Sequence, residues 1–299
     1  MCSDAPAPLP VLRFAPSPNG ALHLGHAYSA LRNECLAADL GGCMLLRIED
    51  LDRTRCKPQY ETAILDDLAW LGLRFAPGLR RQSEHGDDYA GALARLGALG
   101  LTYPCFCSRG QVERLSAARD PDGAPFYPGT CRSLSLRERA DRLARGDRAA
   151  LRLDMRRAIE RAPERIVWIE FGEEAKPTER VAEPAAGGDV VLAGRDLAAS
   201  YHLAVTVDDA LQGVTDIVRG RDLLPATSVH RLLQELLGLP APRYRHHRLV
   251  LDPAGDKLAK RRRSPTLAAL REAGMLAAQI RAALGFGRGD CGRLLVALG

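Results

Sequence analysis

The first fifty residues constrain this chain most. Val11-Leu-Arg-Phe-Ala15 is a short apolar run that breaks at Pro16-Ser-Pro-Asn-Gly20. Apolar residues then recur with helical spacing from Leu22 to about Leu40 and stop at Gly41-Gly42. Cys43-Met-Leu-Leu-Arg-Ile48 follows as a second apolar run. Strand, loop, helix and strand in that order form a βαβ unit, which requires a parallel sheet with a crossover helix and places the chain in the α/β class. Further along, 58–73, 87–100, 229–237 and 266–284 read as helical, and 189–193 and 202–207 as strands. From Cys105 to about Asp189 the texture changes to a cysteine cluster, a Gly/Pro-rich turn and an Arg-rich stretch, as expected of an insertion between two halves of a sheet domain. The expected organisation is therefore 1–104 as the first half, 105–189 as the insertion and 190–299 as the second half.

Composition narrows the function classes. The chain has 299 residues, 46% apolar and 26% charged, enough to bury a sizeable core and too apolar for disorder. The N-terminus lacks a basic region followed by an apolar one, and no stretch approaches about 20 apolar residues, so neither a secretory signal nor a spanning helix is expected. Eight cysteines in a chain of this length do not make a disulfide framework. A cytoplasmic, monomeric enzyme without a membrane partner is the expectation. The formal charge of +5 is uneven: 131–165 holds eleven Arg against six acids, and 257–263 holds five basic residues and no acid. Basic character at those two places suits an enzyme of phosphates or RNA, although interspersed Arg and Glu also form i,i+4 pairs on solvated helices.

The loop after the first strand carries the first chemical constellation. In Arg13-Phe-Ala-Pro-Ser-Pro-Asn-Gly-Ala-Leu-His23-Leu-Gly25-His26, two His sit three apart where a helix begins. A helix start offers free N–H groups and a positive dipole end to phosphate. Gly25 would let a nucleotide approach the backbone, and two His on one face could donate to phosphoryl oxygens. The plainer reading of the pair is cap and core histidines after an ordinary βα loop.

These residues resemble the HIGH signature of class I aminoacyl-tRNA synthetases in its glutamyl form, and Leu46-Arg-Ile-Glu49-Asp50 is similar to the strand end of the same family. The resemblance implies a Rossmann-type class I synthetase catalytic domain. It implies ATP bound by His23, Gly25 and His26, and glutamate held by Arg13, Phe14, Ala15, Pro16 and Ser17, with Glu49 near the α-amino group. A ligand with two carboxylates and one ammonium does need a guanidinium fork and an anion. Tyr201-His-Leu-Ala-Val-Thr-Val-Asp-Asp209, running into Gln212–Gly220, resembles the family's second substrate wall and implies that Tyr201 and Arg219 contact glutamate. Asp256-Lys257-Leu-Ala-Lys260-Arg261 resembles the KMSKS loop, with Ala259 where Ser is usual. Lys260 would stabilise charge on the ATP phosphates, so His23, His26 and Lys260 are the expected catalytic residues.

Cys105-Phe-Cys107 and Tyr127-Pro-Gly-Thr-Cys131 gather three thiols around a turn, which suggests structural zinc. No His lies between His85 and His202, so the fourth ligand must be of another kind, with Tyr127, Asp120 and Asp122 as candidates. The resemblance to a short subgroup, the glutamyl-queuosine tRNA(Asp) synthetases, implies Cys105, Cys107, Tyr127 and Cys131. After Arg263 only 36 residues remain, too few for the anticodon-binding domain of full-length glutamyl-tRNA synthetases. The subgroup's chemistry is thus the expectation: Mg-ATP activates L-glutamate to glutamyl-adenylate, and the glutamyl group passes to queuosine in the anticodon of tRNA(Asp). The alternatives are a truncated glutamyl-tRNA synthetase charging a tRNA 3′ end and, from another class, a non-catalytic RNA-binding module.

Overall fold

The computed structural model describes residues 9–172, 176–251 and 265–287. In chain order the elements are β1 (Val11–Phe14), α1 (Leu24–Asp39), β2 (Cys43–Ile48), α2 (Pro58–Trp70), β3 (Arg80–Arg81), α3 (Gly86–Ala98), β4 (Thr102–Cys105), α4 (Arg109–Leu115) and α5 (Leu136–Ala144). They continue with β5 (Ala150–Leu153), α6 (Met155–Arg161), β6 (Val167–Phe171), β7 (Pro177–Val181), β8 (Val191–Ala193), α7 (Tyr201–Leu211), β9 (Asp216–Gly220), α8 (Ala226–Leu237), β10 (Arg243–His247), α9 (Leu267–Glu272) and α10 (Ala277–Ala283). None of the described helices is long and apolar enough to cross a membrane. The chain divides into two compact units, one of residues 1–82, 213–221 and 244–299, the other of 83–212 and 222–243.

The first unit is built on the βαβ motif. β1 and β2 pair in parallel, Val11 with Cys43 through Phe14 with Leu46, and β3 continues the parallel sheet beyond β2. β9 approaches the other side of β1, where the Thr215 amide donates to the Val11 carbonyl at 2.9 Å. Asn33, buried on α1, donates to the Val218 carbonyl at 3.3 Å and so ties the crossover helix to β9. Leu22 and Leu24 are buried on either side of His23. Burying one such leucine contributes about 1.5–3 kcal/mol, which fixes where the helix starts.

The C-terminal helices belong to this unit as well. The run 266–284 is two helices rather than the single one expected. Gly274, with φ +86°, ends α9, and the Met275 amide returns to the Leu270 carbonyl at 3.0 Å. Only glycine adopts that backbone without strain. α9 meets α2 through Arg271, whose guanidinium lies 3.7 Å from Asp67 and over the Trp70 ring. Asp67 is fully buried, and neither of its carboxylate oxygens has a hydrogen-bond partner.

The second unit has an antiparallel sheet in the order β4-β5-β8 and a β6–β7 hairpin. α3 packs on α7, where the buried Tyr89 hydroxyl reaches both oxygens of Asp208 at 3.0 and 3.1 Å. Residues 202–207 are helical, against the strand expected of Val205-Thr-Val207. Ser200 caps the helix, the Thr206 hydroxyl donates to the His202 carbonyl at 2.8 Å, and 203–209 are all buried. A helix buried all round shows no polar face, so its β-branched run imitates a strand. The Arg-rich stretch supports the plainer of its two readings: Arg137 with Asp141 and Arg156 with Glu160 are i,i+4 pairs on exposed helix surface.

Candidate functional site

In the first unit the ends of two parallel strands and one helix start converge. Arg13 and Phe14 are buried at the end of β1, and the Glu49 amide, just past β2, donates to the Pro16 carbonyl at 3.0 Å. That bond joins the Arg13–Ser17 segment to Glu49, the two parts expected to hold glutamate. Glu49 lies 3.5 Å from the wholly buried Arg47 guanidinium. Arg47 was not anticipated as a site residue. Its sequence signals are its place in the Leu46–Asp50 motif and its charge in an apolar strand.

His23 is the residue that caps α1, and its backbone is extended (φ −127°, ψ 175°). Its Nδ1 accepts the Gly25 amide at 3.1 Å, and His26 Nδ1 accepts the His23 amide at 3.1 Å. The rings lie 3.8 Å apart between centroids. Because both Nδ1 atoms are acceptors, each neutral ring carries its proton on Nε2, which makes Nε2 the donor atom of each ring. Gly25 also has a local reason: a Cβ there would stand 2.9 Å from His23 Cε1 and 3.0 Å from its Nδ1. Thr266 bridges to His23, and the Leu267 amide donates to the Leu22 carbonyl at 2.9 Å, which brings the beginning of α9 to this helix start. Lys260 and the rest of 252–264 lie outside the described residues.

Arg219 is buried on β9 in the same unit. Its Nε donates to His246 Nε2 at 3.0 Å, and its guanidinium lies over the Tyr244 ring, 5.5 Å from the centroid. His246 had no motif to reveal it, being one of two histidines in Tyr-Arg-His-His-Arg. Tyr201 belongs to the second unit, at the first position of α7. There it meets His230 edge-on at 5.5 Å and His202 at 5.8 Å, and those two histidines approach each other at 3.3 Å between ring nitrogens.

The cysteine cluster also belongs to the second unit. The sulfurs of Cys105, Cys107 and Cys131 lie within 4.8 Å of one another, Cys107 and Cys131 at 3.6 Å. Four ligands about 2.3 Å from a zinc ion stand a little under 4 Å apart, so the thiols suit that metal. The Tyr127 hydroxyl is 3.8 Å from Cys107 Sγ and accepts the Cys131 amide at 2.8 Å. Among the described residues no carboxylate joins the three sulfurs. Asp120 instead accepts the Asp122 and Ala124 amides within its own turn. Burial pushes the Cys107 thiol up to about 11, and the Cys131 hydrogen bond adds to that. Burial also opposes the Cys131 thiolate, but hydrogen bonds from Tyr127, from the Phe106 amide and from the other thiols outweigh it and lower that thiol.

The chain matches the family model of tRNA synthetases class I (E and Q), catalytic domain, over residues 11–286. A protein of Rhodobacter capsulatus named glutamyl-Q tRNA(Asp) synthetase is 44% identical over 287 residues, covering 92% of this chain and 99% of its own length. One of the same name from Symbiobacterium thermophilum is 43% identical, covering 88% and 81%. Glutamate–tRNA ligase 2 of Nitrosococcus oceani is 40% identical and is covered over 56% of its length. Among solved structures, a glutamate-tRNA synthetase from Elizabethkingia anophelis superposes with a TM-score of 0.76 at 28% identity, over 93% of this chain. The chain spans about three fifths of that structure, 62% of its length.

Proposed function

The chain belongs to the tRNA synthetases of class I (E and Q), and we propose that it activates L-glutamate with ATP and transfers it to queuosine in the anticodon of tRNA(Asp). The observation that carries this reading is the 44% identity through 99% of the Rhodobacter capsulatus glutamyl-Q tRNA(Asp) synthetase.

In the first step a glutamate α-carboxylate oxygen attacks the α-phosphorus of ATP, and the bond to the β,γ-pyrophosphate breaks. No protein nucleophile takes part, so the residues act by position and charge. Arg13–Ser17, Tyr201 and Arg219 hold the amino acid, and Glu49 faces its ammonium. His23 and His26 donate Nε2–H to phosphate oxygens, Gly25 keeps His23 in place, and Lys260 is the mobile charge on the leaving pyrophosphate. Magnesium arriving with ATP would neutralise part of the triphosphate charge. In the second step a hydroxyl of the queuosine cyclopentene ring attacks the adenylate carbonyl, and AMP leaves. Cys105, Cys107, Cys131 and Tyr127 would hold a structural zinc in the insertion, 105–189.

The test is glutamylation of tRNA(Asp) with and without queuosine. Labelled glutamate should enter only the queuosine-bearing tRNA, and should still enter it after mild periodate treatment that destroys the 3′ terminal diol while queuosine is protected. Equal labelling of tRNA(Glu) would assign the chain to 3′-end charging instead. Absence of glutamate-dependent pyrophosphate exchange would leave the non-catalytic module.

A further inference from the structure

Arg219 and His246 stand on neighbouring strands, β9 and β10. The guanidinium is always protonated, so its Nε–H is the donor in the 3.0 Å bond and His246 Nε2 the acceptor. His246 is therefore neutral in this arrangement, with its proton on Nδ1. Tyr244, two residues earlier on the same strand, is fully buried, and its ring lies parallel to the His246 ring, 2° between planes and 5.9 Å between centroids. The same Tyr244 ring lies under the guanidinium. The arginine plane is thus fixed by an aromatic ring beneath it and a ring nitrogen at its edge.

We infer that His246 is a positioning residue that aims Arg219 at the γ-carboxylate of glutamate. The inference rests on the reading of Arg219 as a glutamate contact. Two consequences follow from the geometry. With Nε bonded to His246, a carboxylate taken bidentately has to be met end-on, by the two Nη nitrogens. And the acceptor at Nε adds no negative charge. An aspartate or glutamate there would hold the guanidinium equally well but would partly cancel the charge that favours a carboxylate over a carboxamide. The neutral histidine thus serves orientation and the preference for glutamate over glutamine together.

The experiment is glutamate-dependent ATP–pyrophosphate exchange on the whole protein, with thermal melts of each variant. His246→Leu removes the acceptor, and the KM for glutamate should rise roughly 10- to 100-fold while the KM for ATP and kcat stay within about threefold. His246→Gln, a neutral acceptor of similar reach, should return the glutamate KM to within about threefold of wild type. His246→Glu should lower the ratio of glutamate to glutamine activation by at least about tenfold. An unchanged glutamate KM in His246→Leu overturns the inference. So does an equal loss in both KM values with a lowered melting temperature that Gln does not rescue. Should the leucine variant not fold, nitrogen-15 NMR of the wild-type histidines decides. A neutral Nδ1–H tautomer, assigned by its loss in His246→Gln, is expected, and a charged or Nε2–H ring overturns the inference. Lack of exchange in the wild type would instead remove the reading on which the inference rests.

Discussion

His23 and His26 hold each other's helix start: each uses Nδ1 to accept a backbone amide from the turn His23–Gly25, with 3.8 Å between the two rings. One nitrogen of each ring therefore serves folding, and the other, Nε2–H, is the one that can serve chemistry. The two roles can be separated by substitution.

His26→Asn keeps an acceptor where Nδ1 stands and lacks the distal donor. It should melt within about 1 kcal/mol of wild type, since the cap survives. Pyrophosphate exchange should fall roughly 10²- to 10³-fold, the usual loss for one transition-state donor. Retained exchange would remove His26 from the phosphate-binding role.

Gly25→Ala tests the space beside His23. Alanine is the better helix former by about 1 kcal/mol, but a turned His23 ring gives up a cap bond worth about 1 kcal/mol, so stability should stay within about 1 kcal/mol of wild type. The new methyl would meet His23 at 2.9 Å and turn its ring. Exchange should drop at least about tenfold, because a small misplacement of a catalytic group is costly. A wild-type rate in a crystal-verified Gly25→Ala would show that the His23 ring position does not matter.

The cysteine cluster predicts one zinc per chain in protein purified without chelator. Cys107→Ser should lose the metal and lower the melting temperature, and prolonged chelation of the wild type should do the same. Metal analysis reads the first outcome and calorimetry the second. Zinc-free protein with an unchanged melt would reduce the cluster to ordinary buried thiols.

Asp67 gives a pH signature. Burial pushes its carboxyl up to about 6, with the Arg271 charge opposing and Asp66 adding to the rise. Its ordinary value is 3.8. The folded state thus binds this proton more tightly than the unfolded one, and the stabilisation by protonation is complete below about pH 4 and lost as pH rises through 6. At neutral pH the buried charge costs roughly 3 kcal/mol. Asp67→Asn cannot titrate. Between pH 7.5 and 4.5 the wild type should therefore gain roughly 2 kcal/mol relative to the variant in urea unfolding. A constant difference would place the Asp67 proton elsewhere.

Legibility in the sequence followed the range of the interactions. β1, α1 and β2 were readable nearly to the residue because buried strands, a helix-stopping Gly41-Gly42 and a Pro/Gly loop are all local signals. The three thiols were readable because they lie within 27 residues and converge on one turn. Residues 202–207 misled because burial on every side hides helical periodicity. Gly25 is legible as a small residue at the helix start, and its closeness to the His23 ring adds a local reason that spacing does not show. His246 was not legible, and Arg47 only as a charge inside the Leu46–Asp50 motif. One acquires its partner across a strand pair 27 residues away, and the other acquires its meaning only through complete burial.

The bond between Leu267 and Leu22, with Thr266 against His23, spans almost the whole chain. During synthesis every residue of the second unit has been added by position 243, while the first unit still lacks α9 and α10. The part encoded first is thus the part completed last. Loop closure over more than two hundred residues makes that final docking slow compared with local folding. A fragment ending near residue 245 should therefore resist protease in its second unit and be cut between α1 and α2, because the helix start that is made among the first residues is secured only when α9 docks.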